Sequence, residues 1–233
     1  MLETVRAGKR RVEGVYLARS TQYPVDFLAQ LENSGIPIAQ TSSNEIVSMT
    51  GTSHHQGTVA RVGPFPYSDF DEFLSGSEAV HGPVLILDQI QDPGNFGNII
   101  RSAECFGVVA IIFAKDRSVG ITPAVEKAAA GASAHISIIR VVNLARVIDE
   151  LKTAEFWIYG THQKGRRSLY SVVFSGKIAF VLGSEGKGMR RLVREKCDDI
   201  ISIPTVGRTE SLNVSQTASI ILAELLRQKM TQK

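Results

Sequence analysis

Three separate polar segments of this sequence carry side chains that could act together in chemistry. The first places Asn95 and Arg101 in the stretch DPGNFGNIIR, the second places Glu185 in GSEGKG, and the third places Ser211 and Asn213 in SLN. A guanidinium can grip a phosphate or a carboxylate through two hydrogen bonds, while amides, hydroxyls and carboxylates can orient a ligand. No histidine or pair of free carboxylates in these segments suits conventional general acid–base catalysis. The side chains therefore indicate binding and positioning of a polar substrate.

Arg101 lies off the apolar face of the helix that its neighbours predict. Ile99, Ile100 and Ala103 fall on one buried stripe, and Asn98 is a typical N-cap residue. A helix that begins at Asn98 places Arg101 in its first turn, where the helix dipole disfavours a cation. We therefore expect an anion or a carboxylate to hold Arg101, with an ordinary surface arginine as the alternative.

Three glycines stand in the six residues from Gly183 to Gly188. Such a segment after a strand lets the backbone approach a ligand closely, because glycine has no side chain and accepts unusual dihedral angles. Its spacing matches neither the phosphate-binding loop nor the dinucleotide-binding fingerprint, and it is also typical of a plain strand-to-helix turn. Glu185 is the unusual member, since a carboxylate among backbone N–H groups needs a reason to be there.

The third segment leads into a strongly apolar predicted helix. Ser211 and Asn213 alternate with Leu212, so the two polar side chains can point to one side. Asn213 and Gln216 have the spacing of a capping box, which predicts that the helix begins there, and simple N-capping is the alternative to a role in a site. The apolar residues over 218–226 are too many for one stripe, so we expect the helix to pack on its own sheet and on a second subunit.

The elements that must position these segments alternate between apolar strands and helices from Val84 onward. This alternation predicts an α/β domain with a mostly parallel sheet covered on both faces. Ligands of such sheets bind at the carboxyl ends of the strands, and each polar segment follows a predicted strand, so the three segments could converge at one edge. The predicted strands are Val84–Leu87, Val108–Phe113, Ile136–Ile139, Phe156–Tyr159, Ile178–Leu182 and Ile200–Ile203, and the predicted helices before the last one are Asn98–Phe106, Pro123–Ala130, Leu144–Leu151 and Met189–Lys196.

A change in composition predicts two domains. Residues 1–62 have the pattern of a small α/β module, residues 63–82 form a linker rich in Gly, Pro and Ser, and residues 83–233 form the larger domain. The module is predicted to contain strands at Val15–Ala18, Ile36–Ala39 and Gly57–Val62 and helices at Val25–Leu31 and Asn44–Met49.

Basic residues are clustered although the formal net charge is only +3. The first cluster contains Arg6, Lys9, Arg10 and Arg11, and two others lie at 164–167 and 187–196. Such clusters are typical of a surface that binds a polyanion, with a solvated surface as the alternative.

The composition disfavours several classes of protein. The N-terminus lacks the apolar region of a signal peptide, and the longest apolar run, Val108–Ala114, is far too short to span a bilayer. Cys105 and Cys197 have no metal-ligand spacing, and we expect both to be buried, reduced thiols of a cytoplasmic protein. The adjacent His54 and His55 have no partner ligands, so we expect no metal site there.

The three polar segments resemble the motifs of the SpoU family, the RNA ribose 2′-O-methyltransferases of the SPOUT class. The matching stretches are DPGNFGNIIR at 92–101, GSEG at 183–186, and Ile203-Pro204 with SLNVS at 211–215. They occur in order and extend from the first predicted strand of the larger domain to the last helix. The N-terminal part, with RAGKRRVEG at 6–14 and HQG at 55–57, resembles the ribosomal-protein-like substrate-binding domain of bacterial large-subunit rRNA guanosine methyltransferases.

The resemblance implies a deep trefoil knot in the C-terminal domain, a homodimer with active sites near its interface, and S-adenosyl-L-methionine as the cofactor. It implies no metal. The cofactor contacts that it implies are Leu182, Gly183, Ile203, Leu212 and Ser215. The catalytic residues that it implies are Asn95, Arg101, Glu185, Ser211 and Asn213, and the expected RNA-binding residues are Arg6, Lys9, Arg10 and Arg11.

The implied reaction is methyl transfer to a ribose 2′-hydroxyl, with a 23S rRNA guanosine as the expected substrate and tRNA as the alternative. Accounts of the family assign the base role to Arg101, but a guanidinium is very hard to deprotonate. We therefore favour a role of Arg101 in gripping the substrate phosphate and orienting the hydroxyl. Two other classes stay open: a catalytically inactive RNA-binding protein, which the intact motifs disfavour, and a nucleotide-binding α/β enzyme, which the absence of phosphate-loop spacing disfavours.

Overall fold

A computed structural model of the protein describes residues 2–53, 55–76, 82–209 and 211–231. The chain divides into two compact units, one ending at Pro66 and the other beginning at Tyr67. Each unit has its own sheet and its own hydrophobic core. The division falls inside the segment predicted to be the linker.

The N-terminal unit is a small α/β module. Its strands are β1 (Val12–Ala18), β2 (Ile38–Thr41) and β3 (Thr58–Val62), and its helices are α1 (Leu2–Ala7), α2 (Val25–Asn33) and α3 (Ser43–Thr50). Strand β1 is central, runs parallel to β2 and antiparallel to β3, and contributes Val15 and Leu17 to a core with Leu31 of α2. Strand β2 begins later than the sequence suggested, because Gly35 turns the chain at a φ of +69° and Pro37 has no N–H to pair.

The C-terminal unit is built on a parallel sheet. Its strands are β4 (Val84–Asp88), β5 (Ala110–Ala114), β6 (Ser137–Val141), β7 (Phe156–Thr161), β8 (Arg167–Ser168), β9 (Lys177–Gly183) and β10 (Asp199–Ser202). They form one seven-stranded sheet of order β6-β5-β4-β9-β7-β10-β8, with parallel pairing between neighbours. Strands β4 and β5 are buried at every residue, as in a sheet covered on both faces. The predicted mostly parallel α/β sheet is confirmed, with the two-residue edge strand β8 as an addition.

Helix α5 begins at Pro93 rather than at Asn98. The helices of this unit are α4 (Phe70–Ser75), α5 (Pro93–Cys105), α6 (Pro123–Ala129), α7 (Leu144–Thr153), α8 (Arg191–Glu195) and α9 (Val214–Thr231). The Asp92 side chain caps α5 by accepting a 2.7 Å hydrogen bond from the backbone N–H of Asn95, and Pro93 fills the first helical position. Arg101 therefore lies beyond the first turn, where the helix dipole has little effect. The expected conflict between Arg101 and the dipole was wrong.

Strand β10 lies between β7 and β8 although it follows both in the sequence. The connection from β7 to β8 must therefore cross β10. At the crossing the His162 N–H donates to the Ile201 carbonyl over 3.0 Å, and a Cβ atom on Gly165 would lie only 2.5 Å from the Ile201 carbonyl carbon. Only glycine allows two backbones to pass this closely.

Helix α9 has a buried apolar side and an exposed apolar side. Ile221 and Leu225 are 1% and 2% exposed, and the helix packs against α5 and β9. On the other side Leu226 is 36% exposed and Met230 is 70% exposed. These two residues are four positions apart and so are neighbours on the helix surface.

The two cysteines have different environments. Cys105, the last residue of α5, is exposed, so the expectation of two buried thiols was wrong for this residue. It lies off the stripe that packs on the sheet. Cys197 is partly buried, and this burial raises the pKa of its thiol to about 12.

Candidate active site

The first two polar segments meet because the strands before them are neighbours. Strands β4 and β9 pair in parallel, and Asp88 at the end of β4 lies opposite Gly183 at the end of β9. The third segment reaches the same edge because α9, which it precedes, packs against α5. The structure thus brings together all three segments, as the alternation of strands and helices suggested.

Glu185 is the centre of a hydrogen-bond network that joins the three segments. Its Oε1 atom accepts from Nδ2 of Asn95 over 3.1 Å, from Nδ2 of Asn213 over 2.5 Å and from the backbone N–H of Val214 over 3.3 Å. The Asn213 Nδ2 also donates to Oδ1 of Asn95 over 2.8 Å. The carboxylate thus lies at the N-terminus of α9, where the helix dipole favours a negative charge. No described residue donates to its other oxygen, Oε2.

Asn213 performs both roles that the sequence left open. Its Oδ1 accepts from the backbone N–H of Ser215 over 2.8 Å and from the Ser215 hydroxyl over 2.6 Å, so it caps α9. Its Nδ2 is left to bind Glu185 and Asn95. A single amide therefore couples the start of the helix to the polar network.

The turn that carries Glu185 is held against the end of β4. A Cβ atom on Gly183 would lie 2.2 Å from the carbonyl carbon of Gly188, so the turn can close only with glycine. The side chain of Asp88 is fully buried and accepts hydrogen bonds of 2.7 Å from both the backbone N–H and Nε of Arg190. Asp88 and Arg190 form a support that the sequence had not singled out.

A cavity of about 200 Å³ lies beside this network. Three of the five expected cofactor contacts, Gly183, Ile203 and Leu212, line it, as do Glu185 and Ser211. The other two expected contacts are not among its lining residues: Leu182 is 1% exposed in the sheet core, and the Ser215 hydroxyl donates to Asn213. Direct contact of these two residues with a cofactor stays a prediction.

The cavity also has a wall that sequence reasoning missed. Thr161 at the end of β7 and the next two residues, His162 and Gln163, line it from a region where no motif was visible. Burial, followed by the positive charges of Arg194 and Lys164, lowers the pKa of His162. Its Nδ1 accepts from the backbone N–H of Lys164 over 3.0 Å, so a neutral ring presents Nε2 as its donor. The only sequence signal was the place of these residues after a buried strand.

Of the expected catalytic residues, Ser211 lines the cavity without joining the network, and Arg101 lies outside both. The Arg101 side chain is exposed and makes no hydrogen bond to another described residue. It lines neither the cavity described above nor a second cavity that adjoins it at Glu185. The next residue, Ser102, faces α9 through a 2.8 Å hydroxyl contact with Ser219. The guanidinium is therefore available to a phosphate or to another chain.

The four expected RNA-binding residues of the N-terminal unit differ in availability. Arg10 is partly buried, and its Nε donates to the Gly63 carbonyl over 2.6 Å. Arg6 is exposed but hydrogen-bonded to two side chains of its own unit. Lys9 and Arg11 are exposed, which makes them the better candidates for contact with a polyanion.

The described residues contain neither a metal-binding cluster nor a membrane-spanning helix. Within the described ranges, no group of three or more His, Cys, Asp or Glu side chains could hold a metal ion. His54 lies outside those ranges, and Nδ1 of His55 accepts from the backbone N–H of Gly57 over 3.0 Å. No helix in the described part of the chain is long and apolar enough to cross a membrane.

Comparison with known proteins assigns both units to sequence families. Residues 82–223 match the SpoU rRNA Methylase family, and residues 1–68 match a family described as RNA 2′-O ribose methyltransferase substrate binding. The 23S rRNA (guanosine-2′-O-)-methyltransferase RlmB of Ralstonia nicotianae is 40% identical over 230 residues, which are 97% of this chain and 91% of that protein.

Two solved structures share the fold over nearly the whole chain. The SpoU methyltransferase AviRb from Streptomyces viridochromogenes, in complex with AdoMet, has a TM-score of 0.83 at 23% identity and covers 98% of this chain and 87% of its own. An AdoMet-bound rRNA methyltransferase from Sinorhizobium meliloti has a TM-score of 0.81 at 22% identity. The match covers 97% of this chain and 85% of that protein. With the network of the three motif segments in place, the family matches show that this chain belongs to the SpoU rRNA methylase family.

Proposed function

We propose that this chain transfers a methyl group from S-adenosyl-L-methionine to the ribose 2′-hydroxyl of a guanosine in 23S rRNA. The observation that carries the proposal is the network in which Glu185 binds Asn95 and Asn213 beside a cavity. The RlmB relative, which is named for its 23S rRNA guanosine substrate, matches nearly the whole chain at 40% identity. The identity of the nucleotide rests on that relative, and the chemistry rests on the family and the site.

The cavity fits S-adenosyl-L-methionine by the chemistry of its lining. Ile203, Leu212 and Ile221 offer apolar surface suited to an adenine ring, and Ser184 and Thr217 offer hydroxyls to the polar parts of the ligand. When bound, the cofactor supplies an electrophilic methyl group on a sulfonium. The residues that would hold it lie mainly in the turn after β9, the segment after β10 and the start of α9.

The residues around the cavity position the acceptor hydroxyl. Oε1 of Glu185 is occupied by Asn95, Asn213 and Val214, so Oε2 can accept a hydrogen bond from a ribose hydroxyl. The fixed amides keep this carboxylate in one orientation, and such positioning lowers the entropic barrier to transfer. Ser211, which is exposed and lines the cavity, can contact the same ribose.

Arg101 acts in this proposal as a phosphate clamp. Its guanidinium is exposed and has no hydrogen bond to another described residue, so a substrate phosphate can take both of its N–H groups. A base role is disfavoured because the guanidinium of arginine stays protonated at any working pH. The bound phosphate would fix the RNA strand so that the ribose reaches Glu185.

Four further expectations belong to this proposal. A deep trefoil knot is supported by the crossing of the β7–β8 connection over β10, and a homodimer is supported by the exposed Leu226 and Met230 on α9. RNA binding by the N-terminal domain of residues 1–62 is supported by the exposed Lys9 and Arg11. A cytoplasmic location is expected from the rRNA substrate of the relative.

Mapping of ribose methylation tests the proposal and separates it from its alternatives. rRNA and tRNA from a strain without this gene and from the same strain complemented with it are compared for 2′-O-methylated positions. We expect one guanosine of 23S rRNA to lose its methyl group in the deletion strain and regain it on complementation. Loss confined to tRNA would support the alternative substrate. No change in any RNA, with cofactor binding absent in titration calorimetry, would support an inactive RNA-binding protein.

A further inference from the structure

A second, larger cavity lies on the other side of Glu185. Its volume is about 830 Å³, within the range of roughly 300–1,000 Å³ that is typical of ligand sites. The two cavities share one wall, formed by Ser184, Glu185, Lys187, Gly188 and Val214. The carboxylate at the centre of the network thus separates two spaces in which two reactants could meet.

Two residues that line this cavity have an unusual backbone conformation. Gln89 and Arg117 have φ angles of +66° and +59°, a region that non-glycine residues rarely adopt. They belong to separate loops, joined by a 2.9 Å hydrogen bond from the Val119 N–H to the Ile90 carbonyl. Strain of this kind persists only where the surrounding structure fixes it, and it is concentrated at ligand sites.

Four polar side chains of the cavity have no hydrogen-bond partner among the described residues. Gln89, Gln91, Arg117 and Lys187 line it, and none of these side chains is hydrogen-bonded to another described residue. Two amides offer both donors and acceptors, and two cations offer donors only. By contrast, Arg190 in the same wall is held by Asp88. These four side chains therefore suit a ligand that has a hydrogen-bonding edge and a nearby negative charge.

We propose that this second cavity takes the base of the target nucleotide, turned out of its RNA strand. The inference rests on the proposed function, since it requires an RNA acceptor opposite a methyl donor in the first cavity. A base inside a duplex cannot enter a cavity, so the target must be unpaired or extruded. With the base against Gln91 and Arg117, its ribose lies at Glu185, between the two cavities.

The side chains of the cavity favour a guanine base. Arginine pairs with the O6 and N7 acceptors of guanine through two hydrogen bonds, while cytosine offers an amino donor at the corresponding edge. The amide of Gln91 can accept from or donate to the remaining edge of the base. Arg117 is thereby a specificity residue, whereas Lys187 is placed to neutralise a flanking phosphate.

The test uses two variants of the full-length protein and one control. Gln91→Ala removes an exposed amide that makes no hydrogen bond to the described chain, and Arg117→Asn removes the cation while keeping a residue that tolerates positive φ. Arg146→Ala, which removes an exposed arginine of α7 paired with Glu150, is the control for loss of a surface charge. Gln91→Ala does not change Gln89 or Arg117, the two residues with positive φ. It therefore tests the proposal even if the Arg117→Asn variant does not fold.

Three readouts are compared. Calorimetry with S-adenosyl-L-homocysteine reports the first cavity, saturation-transfer NMR with guanosine and cytidine 5′-monophosphates reports the second, and single-turnover methylation of 23S rRNA reports the reaction. We expect the wild type to bind guanosine monophosphate in preference to cytidine monophosphate. Each variant should weaken that preference and slow methylation at least about tenfold. Its Kd for S-adenosyl-L-homocysteine should stay within about twofold of the wild-type value, and the control variant should match the wild type in all three measurements.

Several results would overturn the inference. If the variants lose affinity for S-adenosyl-L-homocysteine together with affinity for guanosine monophosphate, the second cavity belongs to the cofactor. If the variants bind nucleotides and methylate RNA as the wild type does, the base lies elsewhere. Failure of the proposed function gives a different result, because wild-type protein would then methylate no RNA at all.

Discussion

Nδ2 of Asn213 donates a 2.5 Å hydrogen bond to Oε1 of Glu185, 28 residues earlier in the chain. This bond joins the glycine-rich turn after β9 to the N-cap of α9, and Asn95 of α5 binds both residues. Three segments that are far apart in sequence are thereby fixed by one carboxylate oxygen. The other oxygen accepts no hydrogen bond from a described residue, and we propose that it faces the substrate.

Glu185→Gln should lower single-turnover methyl transfer by about 10- to 100-fold. Glutamine has the same shape but loses the charge, and a hydrogen bond to a charged group is worth about 1.5–3 kcal/mol. Glu150→Gln, which neutralises an exposed carboxylate paired with Arg146 on α7, is the matched control and should keep the wild-type rate. A Glu185→Gln variant as fast as the wild type would show that the carboxylate has no part in positioning the ribose.

Arg101→Lys should lower the methyl-transfer rate by more than about tenfold while leaving cofactor affinity unchanged. Lysine keeps the charge but loses the planar fork that holds a phosphate and a hydroxyl together. The substitution should not disturb the core, because Arg101 is exposed. The measurement is single-turnover transfer at saturating RNA and cofactor. If lysine supports at least about a tenth of the wild-type rate, a barrier change of only about 1.4 kcal/mol, Arg101 acts only through its charge.

Removal of two exposed cations from the N-terminal unit should reduce the salt dependence of RNA binding. Each phosphate contact contributes about 0.9 to the slope of log K against log salt for duplex and about 0.7 for single strands. Lys9→Ala with Arg11→Ala should therefore lower the slope by about 1.4 to 1.8, as measured by filter binding of 23S rRNA fragments. Arg146→Ala should leave the slope as it is. An unchanged slope in the double variant would mean that these two residues are plain surface.

Charge on the exposed side of α9 should dissociate the expected dimer. Leu226→Glu with Met230→Glu changes residues that are 36% and 70% exposed in the single chain, so the fold should survive. Leu225→Ala is the contrasting variant: Leu225 is 2% exposed, and its truncation should cost about 2–5 kcal/mol of folding stability. Sedimentation at micromolar concentration reports the oligomer. A monomeric wild type, or a double variant that stays dimeric, would contradict the expectation.

The edge of the sheet at which the site lies could be predicted from the sequence. Buried apolar strands alternating with helices fix a parallel arrangement, and polar segments after β4 and β9 must then lie side by side, as Asp88 and Gly183 do. The sequence also singled out both ends of the bond between Glu185 and Asn213, because a carboxylate among backbone N–H groups is unusual and Asn213 stands at the predicted N-cap of the last helix. The long-range bond between them follows only from the packing of α9 on α5.

Other features could not be predicted because they depend on tertiary contacts. The start of α5 was misplaced because two residues, Asp92 and Asn98, are both good N-caps, and the hydrogen bond from Asn95 to Asp92 decides between them. His162 reaches the first cavity through the crossing of the β7–β8 connection over β10. No periodicity in the sequence reports such a crossing, since strand order is a property of the assembled sheet.

Methylation of a ribose hydroxyl by this site is tested most directly by identifying the product of a single turnover on 23S rRNA with methyl-labelled S-adenosyl-L-methionine. After digestion to nucleosides, the label should be found in 2′-O-methylguanosine. Label in a base-methylated nucleoside, or wild-type protein that binds the cofactor and RNA but transfers no label, would contradict the account.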